Sequence, residues 1–406
     1  MLPLMSKTFK VMTMSMRVLI FFGLFVSPVL SWSQRGYYAS PVIRFMHSTH
    51  HIKLGQSDTI PHKAKAIDPN NPVQWRSLMP AIASVDARGM VTGKRYGRTQ
   101  IIAYTADNKA ADTCTIMVSK NRTFTANGVS FDMIYVQGGT FWMGAQDKDK
   151  NLPNYDYRIK NKTSSPVHEV TLSDYFIGET EVTQALWEAV MGYKPTVCGY
   201  RWNDEIGIGP ELPVYYVSWN DCQAFIDKLN MLLEKQLKGY VFAFPTEAQW
   251  EFAARGGIYA MMKNGQYCFS YAGSDKYYHV TELGELKPVK SKRPNELGIY
   301  DMTGNVEEWC ADRFYAHSTS DDDYLAYPTE HLIDPYLVDD GPDRVYRGGS
   351  FRGTDYHFEL TVFIRDTYSC TIREEDRGLR LVLYKKKQKW LKGYKSQKPK
   401  PEFYIM

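Results

Sequence analysis

Between His51 and Lys120 short β-prone runs alternate with turn residues, and this rhythm constrains the N-terminal part of the chain more than any other feature. The runs are Pro72–Leu78, Ile82–Asp86, Met90–Gly93, Thr99–Thr105 and Thr113–Val118, with Ala87-Arg88-Gly89 as a turn between the second and third. Strands this short bury little alone. Regular spacing with turn residues predicts two small sheets packed face to face, a β-sandwich with Trp75 and alternating Ile, Val and Ala inside.

From Val129 the texture changes. Aromatics, glycines and isolated helix signals mix without a βαβ rhythm. Phe131–Val136 reads as a strand, followed by Gly138-Gly139 as a turn and a second strand to Gly144; His168–Gly178 reads as one further strand. Thr183 is a good N-cap for a helix over Gln184–Met191, with Leu186, Trp187 and Val190 on its apolar face. Cys222 falls on the apolar face of another helix. Thr246 and Gln249 have capping-box spacing, Gly256 ends the helix they open, and Glu251 and Arg255 stand one turn apart, spaced to fix it by an ion pair.

Charge is unevenly spread. The net charge is +4, but residues 385–406 carry +7 and the first 34 carry +3, leaving −6 for Arg35 to Tyr384. A mildly acidic body argues against nucleic acid as a partner. The Lys-rich tail, 385–406, reads as an extended solvated segment, with contact to anionic lipid, polysaccharide or an acidic partner as the alternative.

The single long apolar run, Val18–Val26, follows Arg17 and precedes Ser31 and Ser33. It is short for a bilayer-spanning helix, which needs about 20 residues. The pattern reads as a secretory signal over 1–33, followed by a linker over 34–50. The expected destination is the periplasm, the cell surface or the medium. Six cysteines (Cys114, Cys198, Cys222, Cys268, Cys310, Cys370) lack Cys-x-x-Cys spacing, and nine His lack ligand spacing, so no zinc site is expected. His50-His51 is expected at the surface.

Two resemblances follow from these residues. Trp75, Ile82-Ala83-Ser84-Val85-Asp86, Gly89-Met90-Val91-Thr92-Gly93, Gly97 and Ile101-Ile102-Ala103 resemble the bacterial Ig-like domain of group 2, over 51–120. Such domains serve as spacers or adhesion modules. Further on, Phe131–Gly144, Glu181-Val182-Thr183, Phe244–Gly257, Pro294–Trp309, Arg344–Phe351 and Arg377–Leu383 resemble, in order, the landmarks of the sulfatase-modifying factor family, whose founding member is the formylglycine-generating enzyme. That resemblance covers 129–384. It implies an α+β domain with little regular secondary structure, related to the C-type lectin fold.

The family's oxidative chemistry uses copper held by two cysteines in a Gly-Ser-x-x-Cys-x-x-x-x-Cys run, because copper(I) selects thiolates. Here the run starts at Gly349-Ser350, and the two positions hold Gly353 and Phe358; no Cys lies between Cys310 and Cys370. Copper is therefore not expected, and no catalytic residue is assigned. The iron-dependent branch of the family carries an added helical domain that does not precede this one.

The resemblance also implies calcium, held by the side chains of Asp301 and Glu308 and the carbonyls of Gly304 and Val306, a hard oxygen set of the kind calcium takes. The family's other calcium site, near Phe269–Ser274, departs from the founding enzyme and is not assigned. The expectation is an exported envelope protein that binds a protein, peptide or glycan partner or builds an assembly. The alternative is an oxidoreductase that modifies sulfatase cysteines.

Overall fold

In this computed structural model the described residues are 40–46, 49–157, 164–197, 200–202, 205–259, 284–313, 327, 329–338, 341–352, 360–386 and 392–394. The expected signal segment, most of the basic tail, and Cys198, Cys268, Gly353 and Phe358 lie outside them. Among the described residues no helix is long and apolar enough to cross a membrane.

The N-terminal strands are β1 (Val42–Phe45), β2 (Thr49–Lys53), β3 (Ser57–Thr59), β4 (His62–Lys65), β5 (Gln74–Ser77), β6 (Ala83–Val85), β7 (Met90–Gly93), β8 (Gly97–Tyr104) and β9 (Ala111–Ser119). One sheet runs β2-β9-β8-β5 and a second runs β3-β7-β6. They share one core, in which Ile52, Val91, Ile101, Cys114, Ile116 and Val118 are buried. Along β8 the alternation is clean, with Thr99, Ile101 and Ala103 inward, as expected of a strand with one face on the core. Trp75 is only half-buried. It lies over the β6–β7 turn and packs edge-on to His62 at 4.9 Å between ring centroids. Asp86 builds that turn by accepting the backbone N–H of Arg88 (2.9 Å) and Met90 (2.8 Å). Gly89, at φ +81°, leaves room for the indole: a Cβ there would stand 2.5 Å from the Trp75 ring.

The larger region is α+β, with short strands in several sheets and few helices. A five-stranded antiparallel sheet takes its strands in the order Arg122–Ala126, Val129–Val136, Tyr175–Gly178, Val382–Lys385, Tyr240–Ala243, and so joins both ends of the region. Gly139–Met143, His168–Leu172 and Leu332–Ile333 form a second sheet; Arg365–Ser369, Asp343–Arg347, Glu307–Arg313 and Arg377–Leu379 form a third.

The run from His168 to Gly178, expected as one strand, is two strands in different sheets. The break is at Ser173, whose N–H and hydroxyl both donate to Asp334 at 2.7 Å. Gly138 crosses so close beneath that a Cβ would lie 2.1 Å from the Leu172 carbonyl oxygen. The Gly-Gly step therefore moves the chain from one sheet to the next rather than closing a hairpin.

The helices are α1 (Gln184–Met191), α2 (Trp219–Leu232), α3 (Glu234–Leu237) and α4 (Glu247–Ala254), and side-chain caps start α1, α2 and α4. Thr183 accepts from Leu186 N–H, and Thr246 and Gln249 form the reciprocal box. Trp187 of α1 stacks on Phe225 of α2 with ring centroids 5.1 Å apart, and Cys222 is fully buried beside them. Helix α4 is buried on every side, including Glu247 and Glu251, so its charges must find partners inside the protein.

His50-His51 is not a surface pair. The His51 ring lies against Gly298, where a Cβ would stand 1.9 Å from Nε2. Burial lowers its pKa to about 4.

Candidate functional site

The landmarks of the larger region converge on two linked clusters. The first surrounds α4. Arg347 pairs with Glu251 and lies 3.6 Å from Glu247, and Arg365 pairs with Glu247 at 2.7 Å. Arg255 closes the predicted pair with Glu251 at 2.8 Å and donates to the Gly144 carbonyl at 3.1 Å. Tyr327 donates its hydroxyl to Glu247 at 2.9 Å. Asp312 accepts the backbone N–H groups of Glu247 (2.7 Å) and Leu337 (2.9 Å); burial and the neighbouring Glu247 raise its pKa to about 7. Burial pushes Glu251 up, but Arg255 and Arg347 outweigh it and hold the carboxyl below its ordinary range. These groups exclude water and fix backbone far apart in sequence. They present no reactive atom to solvent.

The second cluster is the loop expected to hold calcium. Asp301, Gly304 and Val306 lie in one buried loop, and Glu308 follows in the strand Glu307–Arg313. The loop is laced to the Gly348–Phe351 turn by Gly304 N–H to the Gly348 carbonyl and Phe351 N–H to the Asn305 carbonyl, both 2.9 Å. Asp301 accepts Lys290 N–H at 2.7 Å. Glu308 is committed elsewhere: it accepts from Trp250 Nε1 at 2.6 Å and from Arg380 Nη2 at 2.7 Å.

A third carboxylate, Glu181, was not picked out by sequence reading. Its Oε1 accepts from Asn305 at 3.0 Å, while Oε2 is buried without a hydrogen bond, 3.9 Å from Arg380. Burial raises Asp301 to about 6, and burial together with Asp301 raises Glu181 well above the usual carboxylate range.

Three carboxylates thus surround one guanidinium. Burial and the neighbouring Asp301 hold Glu181 toward its neutral form, and a hard cation bound there would favour the ionised carboxylates instead. Glu308, held by Arg380 and Trp250, does not fit as a ligand in this arrangement. Among the described residues no group of three or more His, Cys, Asp or Glu converges to hold a metal.

Beside this loop lies a further cluster, buried except at its Tyr368 edge. Ser350 donates to Asp376 at 2.8 Å. Arg377 pairs with Glu307 at 2.7 Å and lies 3.9 Å from the Tyr346 ring centroid, 4.9 Å from Trp309 and 5.0 Å from Tyr368. Burial, opposed by Arg377, lifts Glu307 to about 8. Tyr368 is 42% exposed and forms the outer edge of the cluster. The positions that follow Ser350 in the expected copper run, Gly353 and Phe358, lie outside the described residues. Among the described residues no cysteine is joined in a disulfide: Cys370 is half-buried, and Cys114, Cys222 and Cys310 are buried.

The fold and these clusters define an α+β domain whose loops are tied by buried arginine–carboxylate contacts. The chain belongs to the sulfatase-modifying factor enzyme 1-like domain family, which matches residues 120–385, more than half of its length. It is similar to the chaperone protein LppX of Paenibacillus barcinonensis, 31% identical over 45% of this chain and 71% of that protein. It is similar also to the formylglycine-generating enzyme of Streptomyces coelicolor, 38% identical over 35% of this chain and 43% of the enzyme. The inactive C-alpha-formylglycine-generating enzyme 2 of Bos taurus is 25% identical over 47% of this chain and 73% of its own length. The match thus spans less than half of the Streptomyces enzyme.

Proposed function

We propose that this chain is an exported cell-envelope protein whose formylglycine-generating-enzyme-like domain binds a protein, peptide or glycan partner, or builds an assembly, and does not oxidise a substrate. One observation carries this reading. The copper-ligand positions of the run after Gly349-Ser350 hold Gly353 and Phe358, while the family's landmark residues are otherwise present in order. Without thiolates a soft redox metal has no ligand there. The likeness to a relative named inactive adds support. Tyr368, exposed at the edge of the buried Arg377 cluster, is an aromatic of the kind on which protein partners commonly anchor.

Export rests on the 1–33 segment. The strands before residue 120 are read as an Ig-like spacer over 51–120, and the basic tail as a membrane or acidic-partner contact. Calcium is proposed at Asp301 with the carbonyls of Gly304 and Val306, supported by the carboxylate surplus around Arg380. A chelator should lower the melting temperature, and an unchanged value removes the ion.

The second reading, oxidation of sulfatase cysteines, is favoured by the 38% identity to the Streptomyces enzyme. Incubation of the purified protein with a Cys-x-Pro-x-Arg peptide, copper and oxygen separates the two. Unchanged peptide mass, under conditions where an active relative converts it, supports binding. A shift to the aldehyde overturns it. A pull-down from cell envelopes then identifies the partner.

A further inference from the structure

Among the described residues the buried arginines Arg255, Arg347, Arg365, Arg377 and Arg380 each pair with a glutamate. Arg344, 8% exposed, has no ion pair and no hydrogen bond from its side chain. We propose that Arg344 and its neighbour Arg313 form a binding site for a carboxylate of an acidic polypeptide partner. The inference rests on the binding reading above and gives that partner its chemistry.

The sheet sets the geometry. Arg313, Arg344 and Tyr368 stand directly opposite one another on the strands Glu307–Arg313, Asp343–Arg347 and Arg365–Ser369. Side chains so placed share one face. Trp219, at the start of α2, supplies the floor: the Arg344 guanidinium lies 4.1 Å from its ring centroid. The indole is itself fixed, stacked on Phe244 at 4.6 Å between centroids and donating Nε1–H to the Cys310 carbonyl at 2.9 Å. Arg344 Nε and Nη1 are buried without a hydrogen bond, and Nη2, equally unbonded, is the corner that reaches solvent.

The charge at that corner is unanswered. Arg313 is exposed and has no ion pair among the described residues. Like charges directly opposite each other across a sheet repel. Burial and Arg313 together lower the pKa of Arg344. The carboxyl that acts on it, Asp312, has one oxygen on the N–H of Glu247 and the other on the N–H of Leu337. A buried guanidinium without a counter-charge is costly. A guest carboxylate at Nη2 relieves that cost and the repulsion by Arg313 together. The body from Arg35 to Tyr384 carries −6, so the attraction is local to this face.

The α4 cluster shows the completed form of such a site. There Glu247 takes Arg365 at 2.7 Å, Arg347 at 3.6 Å and the Tyr327 hydroxyl at 2.9 Å. Tyr336, half-buried, feels both Arg344 and Arg313, and its hydroxyl has no hydrogen bond among the described residues. Two arginines and a tyrosine are present again, and the carboxylate is what they lack. Tyr368 in the same row and Ile372 just beyond its strand are exposed. They offer apolar contact to side chains flanking the carboxylate, which favours a polypeptide over a sugar acid.

The test uses the full chain and two dye-labelled peptides, one alternating Glu and Leu, the other Gln and Leu, read by fluorescence anisotropy. The Glu peptide should bind with a Kd at or below about 100 μM, at least about tenfold tighter than the Gln peptide. Arg344→Met should weaken it about tenfold or more, and Arg313→Ala about threefold. Arg344→Met strands no carboxylate, so its urea midpoint should match or exceed that of the parent. A lower midpoint with unchanged peptide affinity makes Arg344 a structural residue and overturns the proposal. If Arg344→Met fails to fold, Arg313→Ala decides. Equal binding of the two peptides, or tighter binding of a uronate oligosaccharide than of the Glu peptide, also overturns it. Capture of the same envelope partner by the parent and by Arg344→Met alike would sink this inference alone and leave the binding reading standing.

Discussion

The two halves of this molecule hold themselves together differently. The N-terminal strands bury Ile52, Val91, Ile101, Ile116 and Val118, with Thr99 beside them and no charged side chain among their buried described residues. The larger region buries Glu247, Glu251, Arg347, Arg365, Glu308 and Arg380 among its tryptophans, each at most 1% exposed. The difference follows from backbone regularity. A sheet satisfies its own N–H and C=O groups and leaves only side chains to pack. Irregular loops leave carbonyls over, and arginines bind them: Arg380 donates to the carbonyls of Gly178 and Tyr300, and Arg347 to that of Ile364. Each such arginine then requires a carboxylate, because an unpaired buried charge costs more than the pair returns.

The comparison can be broken most forcefully at Arg347. Arg347→Ala leaves Glu251 buried beside Arg255 alone and should cost about 3–5 kcal/mol in urea unfolding. Replacing Arg347 and Glu251 together by Met and Leu should cost less than the single change. If the single variant costs no more than a surface substitution, the network is not what holds the loops.

Next in size is a pH effect. His168 is 1% exposed, donates Nδ1–H toward the Pro166 carbonyl at 3.2 Å, and packs on Tyr327. Burial lowers its pKa from 6.5 to about 4. The unfolded chain therefore takes up a proton below pH 6.5 that the folded chain refuses until about pH 4. The share of stability that depends on His168 should fall by about 3 kcal/mol as pH drops through that window and be constant above it. His168→Phe should flatten the pH profile by that share and leave the shares of His51, Asp301, Asp312 and Glu307 in place.

Smaller still is Ile101→Val in the apolar core, about 1 kcal/mol. Its cost should be equal at pH 5 and pH 8, since no titrating group touches the lost methyl's role. A pH-dependent cost would erase the contrast between the halves. Smallest is Lys109→Ala, which removes an exposed pair with Asp107. No resolvable change in melting temperature is expected, because solvent screens an exposed pair.

How much of this was legible varied with sequence distance. The Thr246–Gln249 box, the Thr183 cap and the Glu251–Arg255 pair are one-turn relations, and they stand as read. The β-runs before residue 120 were legible because alternation has a period of two residues. By contrast Arg347 reaches Glu251 across 96 residues, and Glu181 meets Asn305 across 124. No local pattern announces such partners. The only signal was a glutamate just before a Val-Thr cap. The break at Ser173 escaped for the same reason, since Asp334 makes it from 161 residues away. His51 looked like a surface residue because Gly298, which makes room for its ring, carries no mark of a partner.

The sequence by itself determined the local elements, their caps, the family landmarks and the identity of the residues at positions 353 and 358, because each of these is a property of near neighbours or of composition at a point. Only the tertiary structure decided which arginine answers which carboxylate, that Glu308 is held by Arg380 and Trp250, and that Glu181 meets the loop that carries Asp301. Those outcomes depend on burial and on distances of about 3 Å between segments a hundred residues apart, where the cost of an unpaired charge selects the partner.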